Sequence, residues 1–124
     1  MDHCFILTTK EDVPLALDYY MNCKANNKKN IRKICFVPDS FVLQHKELFM
    51  DIEVFVQNFD KKGNKLDYYG KTIIPPESVA LIKNKFDTKA SLILKSKYNP
   101  KIRKFYKLLQ NSINSQEYVV HLGI

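Results

Sequence analysis

Three histidines are the residues of this 124-residue chain best suited to acid–base chemistry, because imidazole titrates near neutral pH. His121 lies in an apolar segment near the end of the sequence, whereas His45 lies in a more weakly patterned one. Two histidines, with a lysine and a tyrosine, can supply the base, the acid and the cation that metal-independent RNA cleavage needs. We therefore keep His45 and His121 as candidate catalytic residues of a second hypothesis, an RNA-directed protein.

A run of basic residues near the C-terminus is the most informative feature of the sequence. Nine basic residues and a single acidic one lie between positions 83 and 107. Lysine side chains on one flank of a helix can neutralise phosphates or meet an acidic protein. The candidate residues for either partner are Lys97, Lys101, Arg103, Lys104 and Lys107.

Aromatic side chains cluster in the middle of the chain, within an alternating segment. Tyr and Phe supply large, rigid contact areas and often anchor protein–protein interfaces. We take Phe55, Phe59, Tyr68 and Tyr69 as the candidate protein-binding residues. Together with the basic run, they favour the first hypothesis. In it the chain is a small non-enzymatic module, such as an immunity or antitoxin-like inhibitor, that docks on an acidic partner protein.

Several classes of site are disfavoured by composition. Only three glycines are present and none follows the G-x-G spacing, so a Walker loop and a dinucleotide-binding loop are not expected. The three cysteines include no C-x-x-C pair, which argues against a zinc ribbon and a disulfide framework. Asp51 and Glu53 fit a solvated strand better than a Mg²⁺ site. We therefore expect neither a metal nor a cofactor.

Length and charge place the chain in a broad class. Residues 1–124 suit one globular domain, and 45% hydrophobic residues are enough for a core. No apolar run reaches the roughly 18 residues that span a bilayer, and no secretory signal is recognisable at the N-terminus. We expect a cytoplasmic protein without membrane association. Its free edge strands leave dimerisation open.

Hydrophobic periodicity predicts a series of alternating elements. The central segment 51–74 has a period of two on both sides of a polar turn and predicts a β-hairpin, with Gly63 available for a positive φ in the turn. Asn99-Pro100 is a strong helix start. The predicted strands are 3–8, 31–37, 51–57, 66–74, 91–95 and 118–122, and the predicted helices begin near residues 12, 39, 77 and 99.

The resulting order is β-α-β-(α)-β-β-α-β-α-β. Helical crossovers between strands imply some parallel pairing, and the central hairpin implies some antiparallel pairing. The sequence therefore predicts a mixed α/β (α+β) domain in which helices cover a mixed sheet.

Overall fold

A computed structural model of the chain describes residues 2–19, 33–89 and 99–123. Its strands are β1 (Asp2–Thr8), β2 (Lys33–Pro38), β3 (Met50–Val56), β4 (Lys62–Lys65), β5 (Lys71–Ile74) and β6 (Tyr118–Leu122). Its α-helices are α1 (Val13–Leu17), α2 (Asp39–Gln44), α3 (Pro76–Thr88) and α4 (Asn99–Ser115), and a 3₁₀ helix spans Lys46–Phe49.

The strands form one sheet in the order β2-β1-β6-β5-β3-β4. All five pairings between these described strands are antiparallel. The predicted mixed α/β class is thus confirmed, while the parallel pairing expected from the helical crossovers is not found among these strands. The first and last strands are neighbours in the sheet, because β1 and β6 pair from Cys4 opposite Leu122 to Thr8 opposite Tyr118.

Alternation along each strand separates two faces of the sheet. Phe5 of β1, Val54 of β3 and Val119 of β6 point to the face covered by α2, α3 and α4, where the larger core cluster lies. Ile6 and Val120 point to the other face and pack with α1 in a smaller cluster. We call these the helix-covered face and the α1 face.

Aromatic side chains fill the core under the helices. Phe105 of α4 lies between Phe5, Phe49 and Phe86, with ring centroids 4.6, 6.1 and 6.3 Å away. All four rings are buried. Aromatic pairs at these separations add to the free energy gained by area burial, so α4 is anchored firmly to the sheet.

The predicted hairpin is only partly right. β5 lies in the second predicted strand and pairs antiparallel with β3, as expected. The other edge of β3, however, pairs with β4, which consists of residues predicted as the turn. Residues 66–70, predicted as strand, instead connect β4 to β5, and we call them the crossover segment. Leu66 and Tyr68 pack against the larger core cluster, so this segment crosses the helix-covered face.

The expected positive φ at Gly63 is wrong. No described glycine has a positive φ, and Gly63 lies within β4. A Cβ at this position would lie 3.0 Å from Cγ2 of Val56 and 3.4 Å from Cγ2 of Val54. Glycine therefore serves here for close packing of β4 on β3 rather than for turn geometry.

Helix α4 begins at Asn99, as the sequence predicts, and ends at Ser115. Gln116 takes a positive φ of 56° just after the last turn. The amide of Glu117 donates to the carbonyl of Ser112, and the Ser112 hydroxyl donates to the carbonyl of Glu117. Helices commonly end in this way, with one residue in the left-handed backbone conformation and a hydrogen bond from the next amide back to the last turn.

Some predictions fall outside the described residues. The predicted strand 91–95, the start of the predicted strand 31–37 and the second half of the first predicted helix are in this group. Within the described part, α1 begins after Asp12, as expected, but the Asp12 side chain makes no capping hydrogen bond.

Candidate functional site

A cluster of polar side chains interrupts the apolar helix-covered face at one end of β1 and β6. Nδ1 of His3 lies 2.8 Å from Nε2 of His121, and Nε2 of His3 lies 3.0 Å from Oδ1 of Asp39. The hydroxyl of Tyr68 donates to the same Asp39 oxygen. Both imidazoles are completely buried. β1, β6, the start of α2 and the crossover segment thus each supply one member.

The chemistry of the partners sets the proton positions in this cluster. An ionised carboxylate only accepts, so Nε2 of His3 carries the proton shared with Asp39. In the neutral form of His3, Nδ1 is then an acceptor, and Nε2–H of His121 donates to it. Nδ1 of His121 is left as a buried acceptor that has no partner among the described residues.

Burial and the neighbouring His3 lower the pKa of His121 from 6.5 to about 3. The hydrogen bond from Tyr68 is the main cause that lowers the pKa of Asp39, and in return it raises the pKa of Tyr68 to about 12. At neutral pH His121 is therefore a neutral, enclosed imidazole. Its unprotonated Nδ1 could act as a base, but the ring is completely buried and therefore out of reach of a substrate.

His45 and His121, the predicted catalytic pair, have different surroundings. His45 packs against the ring of Phe41 and lies 3.8 Å from a Glu47 oxygen, whereas His121 stacks on His3. The arrangement does not join His45 to His121. His121 is hydrogen-bonded to His3, and His3 in turn to Asp39. The two histidines are 118 residues apart in the sequence, so no local pattern identifies the pair.

The outer side of α4 is cationic. Arg103, Lys104 and Lys107 are exposed, while Ile102 and Phe105, which alternate with them, are buried. None of the three cations has an acidic partner among the described residues. We call Arg103, Lys104 and Lys107 the α4 cationic face.

The remaining predicted basic residues are placed differently. Nζ of Lys101 lies 3.1 Å from a carboxylate oxygen of Asp2, so this lysine is partly neutralised. Lys97 lies outside the described residues. Burial raises the pKa of the Cys35 thiol to about 11, although Lys104, Lys33 and Lys101 oppose this shift. Positive charge therefore extends from α4 to β2, but the Cys35 thiol there is not activated.

Tyr106 is a half-buried aromatic residue of α4, and both its hydroxyl and its ring already have partners. Its hydroxyl donates to Asp87, its ring stacks on Phe86 at 5.2 Å, and Nζ of Lys83 lies 5.4 Å above the ring. These contacts join α3 to α4. Stacking on a nucleotide would have to displace Phe86 or Lys83 from the ring.

The four predicted aromatic anchors lie in two separate places. Phe55 packs against the smaller cluster on the α1 face, and the ring centroid of Phe59 lies 5.4 Å from that of Phe55. Tyr68 and Tyr69 belong to the crossover segment, where Tyr69 is 78% exposed and Tyr68 is held by Asp39. The structure therefore gives two aromatic patches instead of one continuous surface.

A cleft of about 560 Å³ opens beside β4 on the helix-covered side. The crossover segment forms one wall, and α2 with the 3₁₀ helix forms another. Its lining residues are Val42, Lys46, Phe49, Met50, Val56, Gly63, Asn64, Lys65, Leu66, Asp67 and Tyr68. We call this the β4 cleft.

Comparison with protein-family models, curated proteins and solved structures finds no significant match. In residues 2–19, 33–89 and 99–123, no three His, Cys, Asp or Glu side chains are grouped so that they could hold a metal ion. The same part of the chain contains no helix with the length and apolar character needed to cross a membrane.

Proposed function

We propose that the chain is a binding module that docks on an acidic partner protein through the α4 cationic face. The observation that carries this proposal is the exposed row of Arg103, Lys104 and Lys107, none of which forms an ion pair with a described acidic side chain. Residues 61–124 hold 13 basic and four acidic residues, so the electrostatic field of the C-terminal half of the sequence favours anionic partners.

An acidic protein suits this face better than RNA does. Sequence-tolerant binding of single-stranded RNA usually combines cations with free aromatic rings that stack on bases. Tyr106 is held by Asp87, Phe86 and Lys83, so α4 offers cations without a free described ring. Only one of the three cations is arginine, the residue best shaped to bind phosphate through two hydrogen bonds.

The rigid attachment of α4 supports a docking role. Ile102, Phe105 and Leu109 are buried in the core beneath the cations, so the face is presented on a fixed helix. Charges arranged in this way raise the rate of association with a complementary surface. An immunity or antitoxin-like inhibitor, which must capture its target quickly, is the role that we infer for such a module.

Paired charge reversals test this function. The double variant Lys104→Glu with Lys107→Glu changes the α4 cationic face, and Lys61→Glu with Lys62→Glu makes the same change of net charge beside the hairpin. Lys62 lies 3.7 Å from Glu53, but both are largely exposed, so losing this pair costs little stability. Each variant is immobilised and exposed to nuclease-treated lysate of the source cells, and the bound proteins are identified by mass spectrometry.

We expect the wild type and the hairpin variant to capture an acidic protein that the α4 variant does not capture. Equal capture by all three proteins would overturn it. Retention of nucleic acid from untreated lysate, lost after nuclease treatment and in the α4 variant, would assign the face to RNA instead.

A further inference from the structure

The β4 cleft results from the unusual path of the chain between β4 and β5. β4 and β5 both run antiparallel to β3 on opposite sides of it, so the crossover segment must return along the length of β3. The amide of Leu66 donates to the carbonyl of Phe49 at 3.0 Å, which fixes the start of this segment beside the 3₁₀ helix. A gap is left between the segment, β4 and α2.

The inner surface of this gap is mainly hydrocarbon. Val42, Phe49 and Leu66 are buried side chains that also line the cleft, and Val56 is half-buried there. Met50 is 43% exposed at the opening. A volume of about 560 Å³ is within the usual range of small-molecule sites, which are largely apolar with a few polar groups.

Positive charge accompanies this apolar lining. Lys46 and Lys65 both line the cleft, are exposed, and have no acidic partner among the residues described. The carboxylate of the acidic lining residue, Asp67, lies beside Gly70: its Oδ2 is 2.2 Å from the position that a Cβ on Gly70 would take. The lysines are therefore available to an anion that enters the cleft.

We propose that the β4 cleft binds a small amphipathic carboxylate. Its hydrocarbon body lies against Val56 and Leu66, and its carboxylate is neutralised by Lys46 and Lys65. Burial of the hydrocarbon body favours binding, and the lysines select the charged form of the ligand over a neutral one.

Occupancy of the cleft is linked to the buried histidines through Tyr68. One part of Tyr68 lines the cleft, and its hydroxyl donates to the Asp39 oxygen that also accepts from His3. A ligand that moves the Tyr68 ring therefore changes the surroundings of His3. This link provides a readout distant from the cleft opening.

Sodium decanoate, kept below its critical micelle concentration, is the probe for this site. It is titrated into the ¹⁵N-labelled full chain, and amide and imidazole resonances are recorded by NMR. We expect saturable shifts at Val56, Gly63 and Leu66, with smaller shifts of the His3 imidazole. Decan-1-ol, which has the same chain length without the charge, is the comparison ligand and should bind more weakly.

One double variant, and one single variant with its matched control, locate the site. The variant Lys46→Gln with Lys65→Gln should raise the dissociation constant of decanoate about fivefold, as expected for loss of two exposed ion pairs. Met50→Glu should weaken binding by at least about tenfold, because a carboxylate at the opening repels the ligand. Leu43→Glu is the matched control: Leu43 is 49% exposed and does not line the cleft, so binding should be unchanged.

Three results would overturn the assignment. Decanoate shifts that never saturate show that there is no site. Equal affinities for decanoate and decan-1-ol show that the lysines do not recognise charge. Equal weakening by Met50→Glu and Leu43→Glu shows that binding depends on net charge and not on the β4 cleft.

Discussion

His3 and His121, from opposite ends of the chain, share a hydrogen bond of 2.8 Å on the helix-covered face of the sheet. Their rings stack with centroids 5.0 Å apart, and Phe5 packs against His121 at the same separation. The pair ties β1 to β6 beyond the backbone ladder, and Asp39 ties it to α2. Because the acceptor on His121 is buried without a described partner, this point of the core is sensitive to protonation.

Acid should destabilise the fold through His121. The pKa of His121 is about 3 in the folded protein and 6.5 in the unfolded chain, so the unfolded chain binds the proton more readily. The contribution of neutral His121 to the free energy of unfolding is fully present above pH 6.5. It is lost as the pH falls from 6.5 toward 3, by at most about 1.4 kcal/mol per pH unit. Urea denaturation at a series of pH values should show that His121→Leu reduces this dependence. The control His45→Gln should retain it.

The tyrosine that faces Asp39 should titrate at unusually high pH. The hydrogen bond to Asp39 raises the pKa of Tyr68 to about 12, and Asp87 raises the pKa of Tyr106. Asp39→Asn should return the pKa of Tyr68 toward 10 and leave that of Tyr106 raised, while Asp87→Asn should do the opposite. Tyrosine ring ¹³C shifts followed from pH 9 to 12.5 measure both. A Tyr68 pKa unchanged by Asp39→Asn would contradict the contact.

Gly70, at the end of the crossover segment, and Gly123, beside that segment, should differ in their tolerance of alanine. A Cβ at Gly123 would lie 2.3 Å from the carbonyl oxygen of Tyr68, and the Gly123 amide donates to Gly70. Backbone cannot move aside easily, so Gly123→Ala should cost about 1–3 kcal/mol of unfolding free energy.

A Cβ at Gly70 would instead meet the side-chain carboxylate of Asp67, which can rotate away. Gly70→Ala is therefore the matched control for Gly123→Ala and should cost less. Thermal or urea denaturation of both variants decides the comparison, and equal losses would contradict the close approach of Gly123 to Tyr68.

Removal of the Phe105 ring should loosen α4. This ring contacts Phe5, Phe49 and Phe86, so Phe105→Ala leaves a cavity at the centre of the core and should cost about 3–5 kcal/mol. Lys107→Ala, on the exposed side of the same helix, should change stability by less than about 0.5 kcal/mol. Urea denaturation measures both. Similar losses in the two variants would show that α4 is not anchored through Phe105.

Local signals explain which parts of this fold can be predicted from the sequence. Asn99-Pro100 marks the start of α4, and the apolar run 118–122 corresponds to β6. Both depend on a few neighbouring residues, so periodicity and capping chemistry are enough. The exposed cations of α4 follow from the same periodicity, once its apolar side is assigned to the core.

Features that depend on distant partners could not be predicted in the same way. Leu66 and Tyr68 alternate like strand residues, but an extended segment packed against the core has the same pattern without strand pairing. The hydrogen bond between His3 and Asp39 depends on how β1 meets the start of α2. Local periodicity carries no information on such contacts, so the buried cluster and the β4 cleft appear only in three dimensions.

Site-specific photocrosslinking tests the central proposal, docking through α4, most directly. A benzoylphenylalanine replaces Gln110, which is exposed and lies along α4 from the cations, or Asn58, which is exposed in the hairpin turn. After irradiation in source cells, we expect Gln110→benzoylphenylalanine to form a covalent adduct with an acidic protein and the Asn58 variant to form none. A protein adduct formed only from Asn58 would contradict docking at the α4 cationic face.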